Sequence, residues 1–351
     1  MTSSEKYMQR CLLLARGGEG SVSPNPLVGC VIVREDRIIG EGFHRLFGGP
    51  HAEVYAIESV KNKELLAGST LYVNLEPCAH YGKTPPCSEL IIRSRIPRVV
   101  VGMVDPFPAV AGKGVDMLRL SGVEVKTGML EKECQELNRR FVTFIRKKRP
   151  YIILKWAMTA DGFMDAGGND KVQGVPVRIS GPLAHVLVHR QRTTEDAILV
   201  GTRTALNDNP ELTAREWSGK NPVRIVIDRT LQLPPTLRLF DGNHKTIVFN
   251  EVKTHQAGNI QWEKINTESD FTDQVIYKLP EWNIQSLVVE GGARTLQKFI
   301  ERNLWDEAHI YTGNSWFFTG LKAPWISGEI TGREELEEST LTVLRNPAQR
   351  L

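Results

Sequence analysis

The sequence predicts an α/β protein of two domains, and three observations carry that prediction. The chain has 351 residues, more than one hydrophobic core usually serves. Short runs rich in β-branched residues alternate along it with segments of helical spacing. A basic stretch ending in Arg149 is closed by Pro150, and a fresh apolar run begins at Tyr151. The expected domains are therefore 1–148 and 149–351.

Taken in order, Thr2-Ser3-Ser4-Glu5 has the spacing of a capping box, and Tyr7, Met8, Cys11, Leu12 and Leu14 follow as a helix. Ser23-Pro24-Asn25-Pro26 cannot continue it. Leu27 to Val33 reads as a buried strand, and Ile38 to Phe43 as its hairpin partner across a polar turn. A helix is expected from about His51, a strand over Thr70–Leu75, and a helix over Ser88–Ser94. Strand Val99–Val104, helix Lys113–Ser121 and strand Val123–Lys126 continue the alternation, and Glu131 to Lys148 reads as one long helix. Beyond Pro150, strands are expected at Tyr151–Lys155, Ala197–Val200, Arg224–Ile227, Thr246–Phe249, Ser286–Val289 and His309–Tyr311. Helices are expected at Leu183–Thr193, Thr272–Tyr277 and Ala293–Arg302.

Composition removes several function classes. A net charge of +3 gives no general case for nucleic-acid binding. The basic run Arg139-Arg140 with Arg146 to Arg149 falls at a helix end, where cations favour the helix dipole. No run approaches the roughly 18 apolar residues of a membrane span, and no basic-then-apolar leader opens the chain, so cytoplasmic residence is expected. Five cysteines fit reduced thiols and not a disulfide framework, with Cys11, Cys30 and Cys134 as buried small hydrophobes. No Gly-x-Gly-x-x-Gly signature for a dinucleotide is present.

The chemistry concentrates in His51-Ala52-Glu53 and in the stretch from Pro77-Cys78 to Cys87. One imidazole and two thiolates leave a fourth tetrahedral position on zinc for water, and a nearby carboxylate can move that water's protons. His-x-Glu followed by Pro-Cys is the signature of zinc deaminases, which attack a ring carbon bearing an exocyclic amine. Its usual Cys-x-x-Cys spacing is replaced here by eight residues between Cys78 and Cys87. A structural site would normally take four protein ligands, with His44 or His80 as the candidate fourth.

Over nearly its whole length the chain resembles the bifunctional pyrimidine deaminase/reductase family of riboflavin biosynthesis. In the first half the resemblance runs through Ser23 to Cys30, Gly40-Glu41-Gly42-Phe43-His44, His51-Ala52-Glu53-Val54, Leu75 to Cys87 and Asp105-Pro106, and the long cysteine-to-cysteine loop is the family's own form. It implies a cytidine-deaminase-like α/β/α domain that removes the 2-amino group of 2,5-diamino-6-ribosylamino-4(3H)-pyrimidinone 5′-phosphate. By the same resemblance His51, Cys78 and Cys87 hold zinc and Glu53 shuttles protons, while Asn25, His44, His80 and Lys83 line the substrate pocket.

The second half resembles the family's reductase, whose α/β domain is dihydrofolate-reductase-like. The matching stretches include Thr159 to Gly162, Asp196 to Thr204, Asp208-Asn209-Pro210, Leu212 to Arg215 and Val289 to Gly292. The resemblance implies NADPH as hydride donor to C1′ of the ribosylamino group, turning ribosyl into ribityl. It places Arg192, Leu212, Arg215 and Glu290 at substrate, and Ala157, Thr204, Asp208, Gly291 and Gly292 at cofactor. Arg192 and Arg215 read as a phosphate clamp, and Lys155 and Asp208 as supports for protonation. Three positions depart from the family: Pro176 replaces a substrate-touching serine, Arg178 a cofactor-touching tryptophan, and Arg229 a small hydroxyl residue. Those departures motivate an alternative, a deaminase alone with a non-catalytic binding or dimerisation domain behind it. Small phosphorylated pyrimidines are the expected partners, and a homo-oligomer the expected assembly.

Overall fold

A computed structural model describes residues 3–81, 85–108, 110–166, 178–266 and 270–350. The chain divides into two compact units between Lys148 and Arg149.

The first unit runs α1 (Ser3–Ala15), β1 (Gly29–Arg34), β2 (Arg37–Phe43), α2 (Ala52–Ser59), β3 (Thr70–Leu75) and α3 (Cys87–Arg93). It continues through β4 (Arg98–Met103), α4 (Lys113–Leu120), β5 (Glu124–Thr127), α5 (Glu131–Leu137) and α6 (Arg139–Lys147). The sheet order is β2-β1-β3-β4-β5. β1 is antiparallel to β2 and β3, and β3, β4 and β5 are parallel. Period-two alternation divides its apolar residues between two faces. Ile32, Leu71, Val73, Val99 and Val101 pack with α2 through Ala56 and Ile57 and with α3 through Ile91. Val31, Tyr72, Val100 and Met103 pack instead on Met8 and Cys11 of α1, Cys134 of α5 and Val142 of α6. Helices therefore cover both faces of the sheet, and Cys11, Cys30 and Cys134 are all fully buried.

The segment 131–148 is two helices, not the single one expected. Asn138 separates α5 from α6 at φ −97°, ψ 22°. Its buried amide accepts the Leu27 N–H at 2.8 Å and donates to the Leu27 carbonyl at 3.0 Å. Those two bonds satisfy backbone groups just before β1 and hold Asn138 away from helical geometry.

The second unit begins with β6 (Tyr151–Met158), β7 (Phe163–Asp165), α7 (Pro182–Thr194), β8 (Ala197–Gly201), α8 (Thr202–Asp208), β9 (Val223–Ile227) and β10 (Thr246–Asn250). It goes on with β11 (His255–Ala257), β12 (Ile260–Lys264), α9 (Phe271–Lys278), β13 (Ser286–Gly291) and α10 (Ala293–Glu301). It closes with β14 (Glu307–Gly313), β15 (Leu321–Lys322), β16 (Glu329–Leu336) and β17 (Ser339–Arg345). The large sheet has the order β11-β12-β10-β9-β8-β13-β6-β14-β17-β16. From β12 to β14 its neighbours are parallel, and β11, β17 and β16 add antiparallel edges. The buried strands read as apolar runs because both faces are covered, as in Ala197–Val200 and Leu287–Val289.

Arg149 opens this unit and is tied into it. Its guanidinium donates to both carboxylate oxygens of Asp306 at 2.6 and 3.0 Å, with the two side chains 3% and 1% exposed. Asp306 also accepts the Ile152 N–H at 2.8 Å, so one buried carboxylate fixes the entry into β6.

Candidate functional site

In the first unit the site is assembled where β3 ends. Glu76 is 5% exposed, and its carboxylate accepts four backbone N–H groups, from Asp105, Gly112, Gly114 and Val115, at 2.8 to 3.2 Å. A Cβ on Gly114 would stand 1.9 Å from the Pro77 carbonyl oxygen, so only glycine lets α4 approach this closely. Gly114→Ala is accordingly expected to push Pro77 and Cys78 aside and weaken zinc binding by at least about tenfold, the scale on which loss of supporting contacts acts. A competition titration against a chelator reads this out, and unchanged affinity would remove Gly114 from the support. Beyond Pro77, the Ser88 hydroxyl donates to the Cys78 carbonyl at 2.8 Å, and the Cys87 N–H points at the Cys78 sulfur at 3.3 Å. Cys78 is thus held against the start of α3, whose first residue is Cys87. His51 is the N-cap residue of α2, and Glu53 lies in that helix's first turn.

His51 Nδ1 stands 3.6 Å from the Cys78 sulfur and 3.3 Å from the Cys87 sulfur, and all three donor atoms lie within 4.8 Å of one another. Tetrahedral zinc with ordinary Zn–S and Zn–N bonds sets such atoms about 3.5 Å apart. The donor set fits zinc. Bonding from Cys87, set against burial and helped by His51, holds the Cys78 thiol below its ordinary range, and the same shared proton raises Cys87. Glu53 is 3% exposed, and burial together with the Cys78 sulfur pushes its carboxyl up to about 7. A carboxyl poised there both accepts and returns a proton near neutrality.

His44 lies edge-on to His51, ring centres 5.5 Å apart. Its Nδ1 donates to the Pro50 carbonyl at 2.9 Å, which leaves Nε2 to accept from the Asn25 amide at 3.0 Å. Burial lowers the His44 pKa, consistent with a neutral ring. Asn25 and His44 are therefore brought together beside the metal donors. His80 is exposed. Lys83 lies outside the described residues.

In the second unit Glu290, near the end of β13, is the hub. Arg192 of α7 donates to both its oxygens, at 2.9 Å to one and at 3.1 and 3.2 Å to the other, and donates to the Thr213 carbonyl at 3.0 Å. Lys155 of β6 reaches within 4.0 Å of the same carboxylate and lies 5.7 Å over the Tyr311 ring. Burial opposes the charge on Glu290, but Arg192 and Lys155 outweigh it and hold the carboxyl at about 2. Burial lowers Lys155, with Glu290 partly offsetting it. Arg192 is paired with Glu290, and the half-exposed Arg215 sits 3.5 Å from Glu211. Leu212 is buried, with its backbone at φ +56°.

A cavity of about 620 Å³ adjoins this hub, with Thr204, Asp208, Glu290 and Gly292 on its wall. Gly291 has φ +110°, a conformation that L side chains rarely adopt, and Gly292 caps the N-terminus of α10 beside it. Ala157 is on β6, paired across to Tyr311. Of the positions departing from the family, Pro176 lies outside the described residues and Arg178 is exposed. Arg229 lines the cavity, pairs with Glu251 and lies over the Phe271 ring.

Comparison with known proteins agrees with both halves. Residues 1–103 match the cytidine and deoxycytidylate deaminase zinc-binding region, and residues 150–317 match the RibD C-terminal domain. A riboflavin biosynthesis protein RibD of Aquifex aeolicus is 38% identical over 340 residues, 95% of this chain and 92% of that protein. The chain belongs to the RibD family. The RibD of Bacillus amyloliquefaciens is 40% identical over 334 residues, 93% of this chain and 88% of that protein. The crystal structure of a diaminohydroxyphosphoribosylaminopyrimidine deaminase/5-amino-6-(5-phosphoribosylamino)uracil reductase from Thermotoga maritima superposes with a TM-score of 0.87 at 38% identity, covering 98% of this chain and 99% of that one.

As a member of the RibD family, the chain is a bifunctional deaminase and reductase of riboflavin biosynthesis, with zinc and NADPH as its cofactors. The alternative of a deaminase with a non-catalytic partner domain does not hold, because the reductase domain is present. No helix among the described residues is long and apolar enough to cross a membrane. Sequence reasoning gave no role to Glu76 or Thr213, and missed Arg203, Arg294 and Lys298, which add cations to the cavity wall. The one available signal was an acid between a buried strand and Pro77.

Proposed function

We propose that the first unit deaminates 2,5-diamino-6-ribosylamino-4(3H)-pyrimidinone 5′-phosphate at its 2-amino carbon, and that the second reduces the product's ribosyl group to ribityl. His51, Cys78 and Cys87 hold the zinc. When bound, that ion supplies a water made nucleophilic near neutral pH. Glu53 takes a proton from the attacking water and delivers it to the departing amine; the ring carbon gains oxygen, its C–N bond breaks, and ammonia leaves. Asn25 and neutral His44 read the ring edge, with His80 and Lys83 completing the pocket. The observation that carries this reading is a buried carboxyl of raised pKa beside a His/Cys/Cys set at tetrahedral spacing.

In the second unit NADPH supplies hydride to C1′. Thr204, Asp208 and the Gly291-Gly292 turn hold the cofactor, with Ala157 on the adjoining strand. Arg192, Leu212, Arg215 and Glu290 hold the substrate, and Lys155 and Asp208 support the proton that accompanies hydride. With phosphate present, Arg192 can trade part of its bonding to Glu290 for the anion. Purified zinc-loaded protein given the diaminopyrimidine should release one ammonia per substrate, and then oxidise one NADPH. Ammonia release without NADPH oxidation would overturn the second assignment, and NADPH oxidation restricted to pre-deaminated substrate would overturn the first.

The buried free thiols of Cys11, Cys30 and Cys134 support a reducing, cytoplasmic setting. Exposed Trp316, Phe318 and Trp325, at 60 to 78% exposure, support a homo-oligomer formed through the second unit.

A further inference from the structure

Away from the cavity, α7 carries His185 and His189 one helical turn apart, and the segment after α8 brings Glu216 to them. Each offers a ligand atom, and these atoms lie within 4.8 Å of one another. The two rings are 4.9 Å apart between centres, and His185 Nδ1 sits 2.9 Å from a Glu216 carboxylate oxygen. His189 is fully buried, yet its hydrogen bonding is poorly spent. Its Nδ1 receives only a 3.3 Å contact from the Glu216 N–H, and its Nε2 has no partner. Histidines at i and i+4 present their rings from one rigid face, as metal-binding helices do.

We propose that His185, His189 and Glu216 form a second metal site, for a divalent transition ion with nitrogen and oxygen ligands and open positions for water. Two imidazoles and a carboxylate suit zinc, cobalt or nickel and not calcium or magnesium. The surrounding charges permit the ion: Arg192 is neutralised by Glu290 and Arg215 faces Glu211, which leaves Glu216 as the carboxylate for the metal. An ion here ties the segment carrying Thr213 and Arg215 to the helix carrying Arg192, whose guanidinium already reaches the Thr213 carbonyl. Its role is to hold the two arginines' supports at a fixed spacing, apart from the deaminase chemistry.

Cobalt separates the two sites, because thiolate ligands give a near-ultraviolet charge-transfer band that imidazole and carboxylate do not. Chelator-treated full-length protein titrated with Co²⁺ should bind two equivalents, one with the thiolate band and one with ligand-field bands alone. His185→Ala/Glu216→Gln, a change at two exposed side chains, should bind one equivalent and keep the thiolate band. Cys78→Ser should lose that band and keep the other equivalent, so failure of the zinc reading is distinguishable from failure of this one. A single equivalent carrying the thiolate band in the wild type, or two equivalents in the double variant, overturns the proposal.

Discussion

Glu53→Gln is expected to lower deamination by about 10²–10⁴-fold, the usual contribution of a positioned general acid–base, while zinc content stays at the wild-type level. The side chain is buried in the first turn of α2, and Gln keeps its shape but cannot carry a proton. His51, Cys78 and Cys87 all stay in place, and Gln can still bond Cys87 as Glu53 does, so metal retention is the control. Ammonia release measured alongside metal analysis decides the matter. Turnover near the wild-type rate would take proton transfer away from Glu53, and loss of zinc would make the residue part of the metal's support.

Asp306→Ala is expected to destabilise the second unit by about 3–5 kcal/mol, because it strands the buried Arg149 guanidinium without its carboxylate. The same substitution removes the acceptor of the Ile152 N–H at the start of β6. Since the chain comprises two compact units, denaturant unfolding of the variant should separate into two transitions, with that of residues 1–148 unmoved. Replacing both partners with apolar residues should recover much of the loss, since no buried charge then remains. A single unshifted transition for Asp306→Ala would show that the pair contributes little.

How much could be read from the sequence depended on where each element's energy lies. Strand β3 was legible because Leu71 to Leu75 is a continuous buried run behind the half-buried Thr70. Strand β16 was not: Glu329 to Leu336 is mostly polar and nearly all exposed, and its place comes from hydrogen bonds to β17 at the sheet's edge. Helix α8 is seven residues without an apolar stripe, so no periodicity marked it. The break at Asn138 depends on Leu27, 111 residues away. The candidate donor set His51, Cys78 and Cys87, whose ligand atoms the structure brings within 4.8 Å of one another, could be picked out because metal chemistry admits few residue types. The commitment of Arg192 to Glu290 was not, since it joins residues 98 positions apart on separate elements. A cation and an acid that each suit a substrate phosphate or hydroxyl also suit each other.

Glu76 has a further consequence for how the ion is acquired. Four amide hydrogens converge on one buried carboxylate next to Pro77, and the Cys78 carbonyl is bonded to Ser88. None of these bonds involves a metal donor's own ligating atom, apart from the light contact of the Cys87 N–H with sulfur. The fold therefore supplies the order that a small zinc domain obtains only from its ion. The backbone on either side of Cys78 is held by bonds that leave the ligating atoms of His51, Cys78 and Cys87 free for the ion.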